Sequence, residues 1–331
     1  MSAYRDTAVD RNAAQWSTAV MKRTYRLPSG TPAGIAADGD PLLRELLVRP
    51  FALHMPEQVR SPFIFASPHS GSVYPGGFLA QSQLAGPNLR RSEDAYVDEL
   101  FFSVTELGAP LLAANFPRAY VDANRAPAEL DPAMFATSLG LPVDATSPRV
   151  HAGLGVIPKL VRDGAEIYRE KLAAAEAHFR LQRLHRPYHA ALARLVDETF
   201  ARYGVAVIVD CHSMPSAAAA PHIVLGDRYG SAASQILVRA AEKALAAVGF
   251  RTVRNVPYAG GYTTSLYGQP GCGLHALQVE VNRALYLDEE RIVRSHAFTS
   301  TARRIAEAFA AIVTLDPAIL RPDKGLGLAA E

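Results

Sequence analysis

Two histidines follow apolar runs of the sequence, and one of them lies near an aspartate, so metal binding and proton transfer are the chemistry to consider. The run Val205–Val209 is mostly β-branched and predicts a strand buried on both faces, and it leads into Asp210 and His212. These two side chains share one face because strand side chains alternate. His69 follows a shorter apolar run, Phe63–Ala66. Since chemistry in open α/β sheets lies where strands end, these residues are metal ligands, a catalytic pair, or side chains packed at strand ends.

Three carboxylates are candidate partners of these histidines. The segment 92–108 predicts a helix that begins at a serine cap, with Glu93 and Asp94 in its first turn. Interaction with the helix dipole is the alternative to a functional role for either acid. Glu280 falls on the polar face of an alternating strand, where a buried carboxylate costs free energy unless it is paired. A catalytic role or an ion pair with Arg283 would explain it.

A third group of polar residues could recognise a substrate. Arg118, Asn124 and Arg125 crowd one short stretch. A guanidinium binds a carboxylate through two parallel hydrogen bonds, so this stretch is a candidate carboxylate site. The alternative is a set of surface ion pairs with Asp122 and Glu129.

Two further arrangements are given no catalytic role. His185 and His189 have the i, i+4 spacing of helical metal ligands, but the acidic residue of the zinc-protease motif is missing, so a structural role is favoured. The proline between them predicts a break or kink in the helical segment 161–203. Cys211 and His212 are neighbours on a strand and point to opposite faces, which argues against a Cys–His dyad.

The composition excludes several classes of protein. The chain has 331 residues, 49% of them hydrophobic and 20% charged, which is typical of a globular protein. A net charge of +2 without a basic run argues against a nucleic-acid partner, and two cysteines are too few for a disulfide framework. No apolar run is long enough to span a membrane, and the charged start lacks the core of a signal peptide. A cytoplasmic location is therefore expected.

Strands that alternate with helices, without an internal repeat, predict a single α/β domain. We expect a three-layer sandwich around a central mixed, mostly parallel sheet, formed by residues 46–315, with an extension at 1–45 and a tail at 316–331. The Pro- and Gly-rich stretch 130–160 is long for a loop and predicts a lid or pocket wall. A Gly- and Tyr-rich loop that is not expected to open onto a helix carries Tyr262, a candidate hydrogen-bond donor to the reaction intermediate.

Together these parts fit metal-assisted hydrolysis of an amide. Two neutral imidazoles and one carboxylate can bind Zn²⁺ and leave a position for water. The metal lowers the pKa of that water, and a nearby glutamate can take its proton and return it to the leaving amine. The arginines would hold the carboxylate of a small acidic substrate.

Seven motifs give the sequence a resemblance to the N-formylglutamate amidohydrolase family, whose members release formate and L-glutamate late in histidine degradation. In chain order the motifs are SPHSGSVYP, SEDAYVDEL, PRAYVDANRAPAELDP, HRPYHAAL, DCHSMP, NVPYAGGYTTSLYG and LQVEVNRALY. The resemblance extends over nearly all of the chain from about Pro50 to Phe309 and leaves out the N-terminal extension.

The resemblance implies a fold similar to that of the zinc carboxypeptidases and one divalent metal ion, for which Zn²⁺ is the expected ion. It implies that His69 and His212 are metal ligands and that Glu280 is the general base and acid. It also implies that a small acidic N-acyl amino acid is the substrate. The residues that resemble the family's carboxylate-recognition set are Arg118, Asn124 and Arg125.

The carboxylate ligand departs from the carboxypeptidase pattern, in which the first two ligands form an HxxE motif. Here the third residue after His69 is Ser72. Asp94 matches the family motif best and is the expected ligand, with Glu93 as the next choice. Asp210 is expected to orient the imidazole two residues after it, although it could also be the missing ligand.

The same residues leave other functions open. One is a deacylase or carboxypeptidase-like amidohydrolase that acts on another N-acyl amino acid. Another is a non-catalytic carboxylate-binding relative, although binding alone would not require Glu280. A set of two histidines and one carboxylate also suits Fe²⁺, Co²⁺ or Mn²⁺.

Overall fold

The computed structural model describes residues 39–161, 164–217 and 220–322. Most of the predicted N-terminal extension and the end of the predicted tail, 323–331, lie outside the described residues. The division of the chain into extension, domain and tail stays a prediction. Within the described ranges, no helix combines the length and the apolar character needed to cross a membrane.

A seven-stranded sheet forms the centre of the described fold. Its strands are β1 (Phe51–His54), β2 (Phe63–Ser67), β3 (Leu111–Ala114), β4 (Ala206–Met214), β5 (Ile223–Gly226), β6 (Thr252–Arg254) and β7 (Leu274–Asn282). They lie in the order β1-β3-β2-β4-β7-β5-β6. Neighbours are parallel except β1 with β3 and β5 with β7. The predicted mixed, mostly parallel sheet is confirmed.

Helices cover the sheet. The α-helices are α1 (Pro41–Val48), α2 (Gly76–Gln81), α3 (Pro87–Arg90), α4 (Val97–Phe101), α5 (Pro148–His151), α6 (Ala174–Arg180), α7 (Arg186–Tyr203), α8 (Gln235–Ala247), α9 (Tyr262–Tyr267) and α10 (Phe298–Ile312). Short 3-10 helices lie at Phe102–Thr105, Pro132–Met134, Pro270–Cys272, Arg283–Leu285 and Pro317–Leu320. A small hairpin pairs β8 (Leu287–Asp288) with β9 (Val293–Arg294).

Two hydrophobic cores lie on opposite faces of the sheet. On one face, Ile208 of β4 packs in a core with residues of α7 such as Leu192. On the other face, Val209 packs in a core with residues of α8 and α10 such as Leu237 and Phe309. Burial of both faces explains the continuous apolar run in the sequence, and the three layers agree with the predicted sandwich.

β4 is longer than the predicted strand. It continues past Val209 through Asp210 and His212 to Met214, and all nine of its residues are buried. The polar half stays extended because its parallel ladder with β7 continues to Met214. The register pairs His212 with Glu280, so two residues selected separately from the sequence become neighbours.

The start of the helix predicted over residues 92–108 is wrong. α4 begins only at Val97 and passes into the 3-10 helix Phe102–Thr105. Tyr96 has a φ of 63°, a left-handed conformation that cannot continue a right-handed helix. Asp94 therefore lies in the loop before α4, and not in its first turn.

The Gly- and Tyr-rich stretch differs from prediction because it opens onto α9, whose first residue is Tyr262. Gly261, just before the helix, lies directly against Asn124. A Cβ at Gly261 would be 2.3 Å from Nδ2 of Asn124, so only glycine permits this approach.

The helical segment predicted over 161–203 begins at Ala174. Pro187 does not end it, since the π-helical turn Leu181–His185 leads directly into α7 and Pro187 lies in the first turn of α7. Proline lacks the N–H that an α-helix would need at this point, and a π-helical turn accommodates such a residue.

Candidate active site

The candidate active site lies at the carboxyl ends of the parallel strands. His69 follows β2, while His212 and Glu280 lie near the ends of β4 and β7. The loop that carries His69 passes close to the chain after β3, since a Cβ at Gly71 would be 2.3 Å from the carbonyl oxygen of Phe116. The structure thus brings together side chains from distant parts of the sequence, at the edge where α/β sheets place ligands.

Three atoms of His69, Asp94 and His212 form a compact triangle. Nδ1 of His69 lies 3.2 Å from Oδ2 of Asp94, and Nδ1 of His212 lies 3.0 Å from the same oxygen. The two Nδ1 atoms are 3.1 Å apart, and all three residues are buried. Ligands of a tetrahedral Zn²⁺ lie about 3.3 Å from one another, given metal–ligand distances of about 2.0–2.1 Å. The cluster could hold a metal ion.

Each imidazole turns its other nitrogen to a carboxylate. Nε2 of His69 lies 2.7 Å from Oδ1 of Asp122, and Nε2 of His212 lies 3.1 Å from Oδ2 of Asp210. When a cation lies in the triangle, protons on the two Nε2 atoms would leave both Nδ1 atoms as acceptors beside the Asp94 oxygen. Three converging acceptors suit a cation, and carboxylates behind histidine ligands are typical of metal sites.

The Asp94 carboxylate is held through its second oxygen. Oδ1 accepts hydrogen bonds of 3.1 Å from the hydroxyl of Ser213 and from Nη2 of Arg283. Burial would raise the pKa of Asp94, but hydrogen bonds with His212 and His69 hold it well below its usual value. Asp94 is therefore ionised and fixed in orientation.

The other two carboxylates considered as ligands have different partners. The oxygens of Glu93 accept from Nε and Nη2 of Arg90 at 2.9 and 2.8 Å and from the Tyr74 hydroxyl. Asp210 lies behind His212, on its Nε2 side. Of the three, only Asp94 belongs to the triangle.

Glu280 is buried and lines the same cavity as the triangle. Its Oε1 accepts a hydrogen bond of 2.8 Å from Gln278. Burial raises the pKa of Glu280 to about 7, against the opposing charge of His212. A carboxyl group with a pKa near neutrality can both accept and return a proton. The alternative ion pair with Arg283 is not formed, because that guanidinium binds Asp94.

Asp122 connects His69 to two arginines. Its Oδ2 accepts a hydrogen bond of 2.9 Å from Nε of Arg118 and lies 3.9 Å from Nε of Arg125. Burial would raise the pKa of Asp122, but the charges of His69 and the two arginines hold it well below its usual value. Asp122 and Glu129 are both buried, so the alternative of surface ion pairs does not hold.

Arg118 and Arg125 line a cavity of about 370 Å³, a volume typical of small-molecule sites. Arg125 is held by two backbone carbonyls, since its Nε donates to Leu154 at 3.0 Å and its Nη1 to Asn124 at 2.9 Å. The predicted pocket wall is also present, because Leu154 and other residues of the stretch 130–160 line this cavity.

The side chain of Asn124 is engaged with protein groups. Its Nδ2 donates to Oδ2 of Asp210 at 3.1 Å and lies 3.0 Å from Nε2 of His212. Its Oδ1 accepts from the backbone N–H of Thr263 at 2.8 Å. These contacts make Asn124 a support for the His212–Asp210 pair, whereas the sequence predicted a substrate contact.

Tyr262 is not brought to the reaction centre. As the first residue of α9, it directs its ring toward α7, with ring centroids 5.3 Å from His189 and 6.2 Å from His185. Tyr258, from the same stretch, lines the cavity instead.

His185 and His189 hold the backbone of the segment that carries Asn124. Nε2 of His185 lies 2.9 Å from the carbonyl oxygen of Arg125, and Nε2 of His189 lies 2.8 Å from that of Ala123. Burial lowers the pKa of His185 to about 4, so the ring is neutral and donates through Nε2–H. The structural role expected for this pair agrees with these contacts.

Cys211 packs in the core opposite the site, and burial raises the pKa of its thiol well above the usual value. Both observations agree with the interpretation that it is not a nucleophile.

Sequence reasoning missed four residues that the structure brings to the site. Ser213 and Arg283 hold Asp94, and Asp122 holds His69. Arg149 lines the cavity from α5. Asp122 lies between two arginines in the sequence, and this pattern could have indicated its place in the site. Arg149 lies in the irregular stretch 130–160, where no sequence pattern indicates a role.

Sequence comparisons identify related proteins. The family model for N-formylglutamate amidohydrolase matches residues 61–287, more than half of the chain. The N-formylglutamate deformylase of Pseudomonas aeruginosa is 30% identical over 246 residues, which cover 70% of this chain and 84% of that protein. The N-formylglutamate deformylase of Pseudomonas putida is 27% identical over 248 residues, with the same coverage of 70% and 84%.

Solved structures agree with these matches. The N-formylglutamate amidohydrolase from Ralstonia eutropha JMP134 has a TM-score of 0.75 and 35% identity, over 80% of this chain and 98% of that one. A protein from Agrobacterium tumefaciens shares the fold with a TM-score of 0.57 at 18% identity, over 81% and 95% of the two chains. By the extent of the family match and of these similarities, the chain belongs to the N-formylglutamate amidohydrolase family.

Proposed function

We propose that this chain hydrolyses the amide bond of N-formyl-L-glutamate to give formate and L-glutamate. The observation that carries the proposal is the buried triangle of His69, Asp94 and His212, which shares one cavity with Glu280 and several arginines. The names of the relatives support the choice of substrate. We also propose a role in histidine degradation, which the resemblance implies, and a cytoplasmic location, as expected from the sequence.

The proposed cofactor is one divalent metal ion, with Zn²⁺ expected, held by Nδ1 of His69, Oδ2 of Asp94 and Nδ1 of His212. The donor set fits this ion, because three acceptor atoms converge and carboxylates stand behind both imidazoles. Such an ion, when bound, polarises a carbonyl group and lowers the pKa of water.

Glu280 is proposed as the general base and acid. It accepts a proton from the water that attacks the formyl carbon, and it returns that proton to the amine nitrogen as the C–N bond breaks. Its pKa of about 7, raised by burial, suits both transfers at neutral pH. Gln278 orients the carboxyl group through its hydrogen bond to Oε1.

Arg118 and Arg125 are proposed to bind the carboxylate next to the scissile amide. Asp122 fixes Arg118 and Arg125 relative to the triangle, because the same carboxylate accepts from Arg118, lies 3.9 Å from Arg125 and contacts Nε2 of His69. Asn124 and Asp210 are proposed to orient His212. The proposed amidohydrolase domain, residues 46–315, contains the whole region that the family model matches.

The test is release of formate and L-glutamate from N-formyl-L-glutamate by the purified full chain. We expect turnover with Zn²⁺, loss of turnover with a chelator, and recovery when Zn²⁺ is restored. N-acetyl-L-glutamate, assayed in parallel, reports whether a larger acyl group is accepted. Turnover that resists complete metal removal would overturn the metal-dependent mechanism, and absence of turnover with each divalent metal would favour a non-catalytic relative.

A further inference from the structure

Besides the arginine that binds Asp94, the cavity is lined by three arginines, more than one carboxylate requires, and by the carboxylates of Asp94, Asp122 and Glu280. Arg118, Arg125 and Arg149 all line it. Burial lowers the pKa of Arg125, and the charges of Arg118 and Arg149 lower it further, so Arg125 is repelled by both of these arginines. Like charges gathered around one cavity favour an anion inside it.

A nearby carboxylate balances the charge of Arg149 but leaves its N–H donors available. Nη1 of Arg149 lies 3.8 Å from Oε2 of Glu129, which is an ion-pair distance but longer than a hydrogen bond. Glu129 already accepts 2.6 Å and 2.8 Å hydrogen bonds from the Ser147 hydroxyl and the Ala126 N–H. The N–H groups of Arg149 therefore remain able to bind a ligand.

Arg118 and Arg149 occupy different depths of the cavity. Nε of Arg118 donates to Asp122, whose other oxygen lies 2.7 Å from Nε2 of His69, so this guanidinium lies beside the reaction centre, with its side chain 25% exposed. The side chain of Arg149 is 35% exposed and belongs to α5, outside the sheet. Arg149 is thus more exposed than Arg118 and Arg125, whose side chains are 25% and 11% exposed, and lies toward the mouth of the cavity.

We propose that Arg149 binds the side-chain carboxylate of the substrate and thereby selects N-formyl derivatives of acidic amino acids. This inference rests on the proposed function, in which the substrate has two carboxylates. The carboxylate on the α-carbon is close to the amide and is bound by Arg118 and Arg125. The side-chain carboxylate is three carbons from the α-carbon and reaches the mouth of the cavity. There the guanidinium of Arg149 can bind it through two hydrogen bonds.

The test compares Arg149→Gln with the unchanged protein on N-formyl-L-glutamate, N-formyl-L-glutamine and N-formyl-L-isoglutamine. Glutamine lacks only the side-chain charge, and isoglutamine lacks only the α-carboxylate charge. We expect kcat/KM for N-formyl-L-glutamate and N-formyl-L-isoglutamine to fall about 10- to 100-fold in the variant, mainly through KM, with little change for N-formyl-L-glutamine. Affinity for the product L-glutamate, measured by calorimetry, should fall by a similar factor, whereas affinity for L-glutamine should not.

The matched control is Arg194→Gln, at a 62% exposed position on α7, which should behave as the unchanged protein. Equal losses on the glutamate and glutamine substrates would overturn the assignment to the side-chain carboxylate, and so would equal rates of the variant and the unchanged protein on all three. Turnover of none of the three by the unchanged protein would overturn the proposed function together with this inference, which separates that failure from a failure of Arg149 alone.

Discussion

Nδ1 of His69 lies 3.1 Å from Nδ1 of His212, and the Nε2 atom of each ring faces a different aspartate. Both rings thus turn the same nitrogen to a shared centre. A proton on each outer nitrogen, donated to Asp122 or Asp210, would leave the inner nitrogens as lone-pair donors to a metal ion. This relationship joins the sheet, which carries His212, to the loop after β2, which carries His69.

Replacing Glu280 by Gln should lower kcat about 10²- to 10⁴-fold, because an amide cannot accept the proton of the attacking water. The metal content should stay unchanged, since Glu280 is outside the triangle. Formate release and metal analysis of the purified protein measure the two effects. The matched control is Glu198→Gln, at a 61% exposed position on α7. Full activity of Glu280→Gln would show that another group transfers the proton.

Asp94→Asn and Glu93→Gln should separate the two adjacent carboxylates. Loss of the Asp94 charge removes one of the three proposed metal ligands, so the purified protein should hold little metal and show little turnover. Glu93→Gln weakens the contacts with Arg90 and Tyr74 and should lower stability by about 1–3 kcal/mol while metal is retained. Metal retained in Asp94→Asn and lost in Glu93→Gln would reverse the assignment.

Asp122→Asn should weaken metal binding about 10- to 100-fold, as is typical when the carboxylate behind a histidine ligand is removed. The same change should raise KM, because Arg118 loses the partner that fixes its guanidinium. Metal competition with a chromophoric chelator and steady-state kinetics measure these effects. An unchanged metal affinity would mean that His69 needs no orienting partner.

His185→Gln should reduce the loss of stability of the metal-free protein at acid pH. Burial lowers the pKa of His185 in the folded state to about 4, below its value of 6.5 when unfolded. Between these two pH values the unfolded chain therefore binds more protons than the folded chain. The contribution of neutral His185 to the free energy of unfolding is complete above pH 6.5 and is lost as the pH falls through 6.5 toward 4.

For this one residue the loss amounts to at most about 3 kcal/mol. Urea unfolding at pH 7.5 and pH 5 should show a smaller difference in the free energy of unfolding for His185→Gln than for the unchanged protein. Gln keeps a donor for the Arg125 carbonyl without titrating in this range. Identical pH dependence in both proteins would contradict the expected pKa.

Local sequence patterns indicated the strands that carry the candidate site and the residue types that could bind a metal. The apolar run 205–209 and the alternation around Glu280 indicate β4 and β7, because burial on one or both faces leaves a periodicity that can be recognised without coordinates. Boundaries were less accurate. β4 continues through its polar residues because the ladder with β7 continues, and a ladder is a property of two strands.

The sequence by itself determined the α/β class, the family and the residue types able to bind a metal, since these depend on local patterns and motifs. Only the tertiary structure brought Asp94, and not Glu93, to the two histidines, engaged Asn124 within the protein, turned Tyr262 toward α7, and brought Asp122 and Arg149 to the cavity. The physical reason is that each of these outcomes depends on which donor and acceptor atoms meet when distant segments of the chain pack together. Two residues that are adjacent in the sequence can therefore have entirely different hydrogen-bond partners.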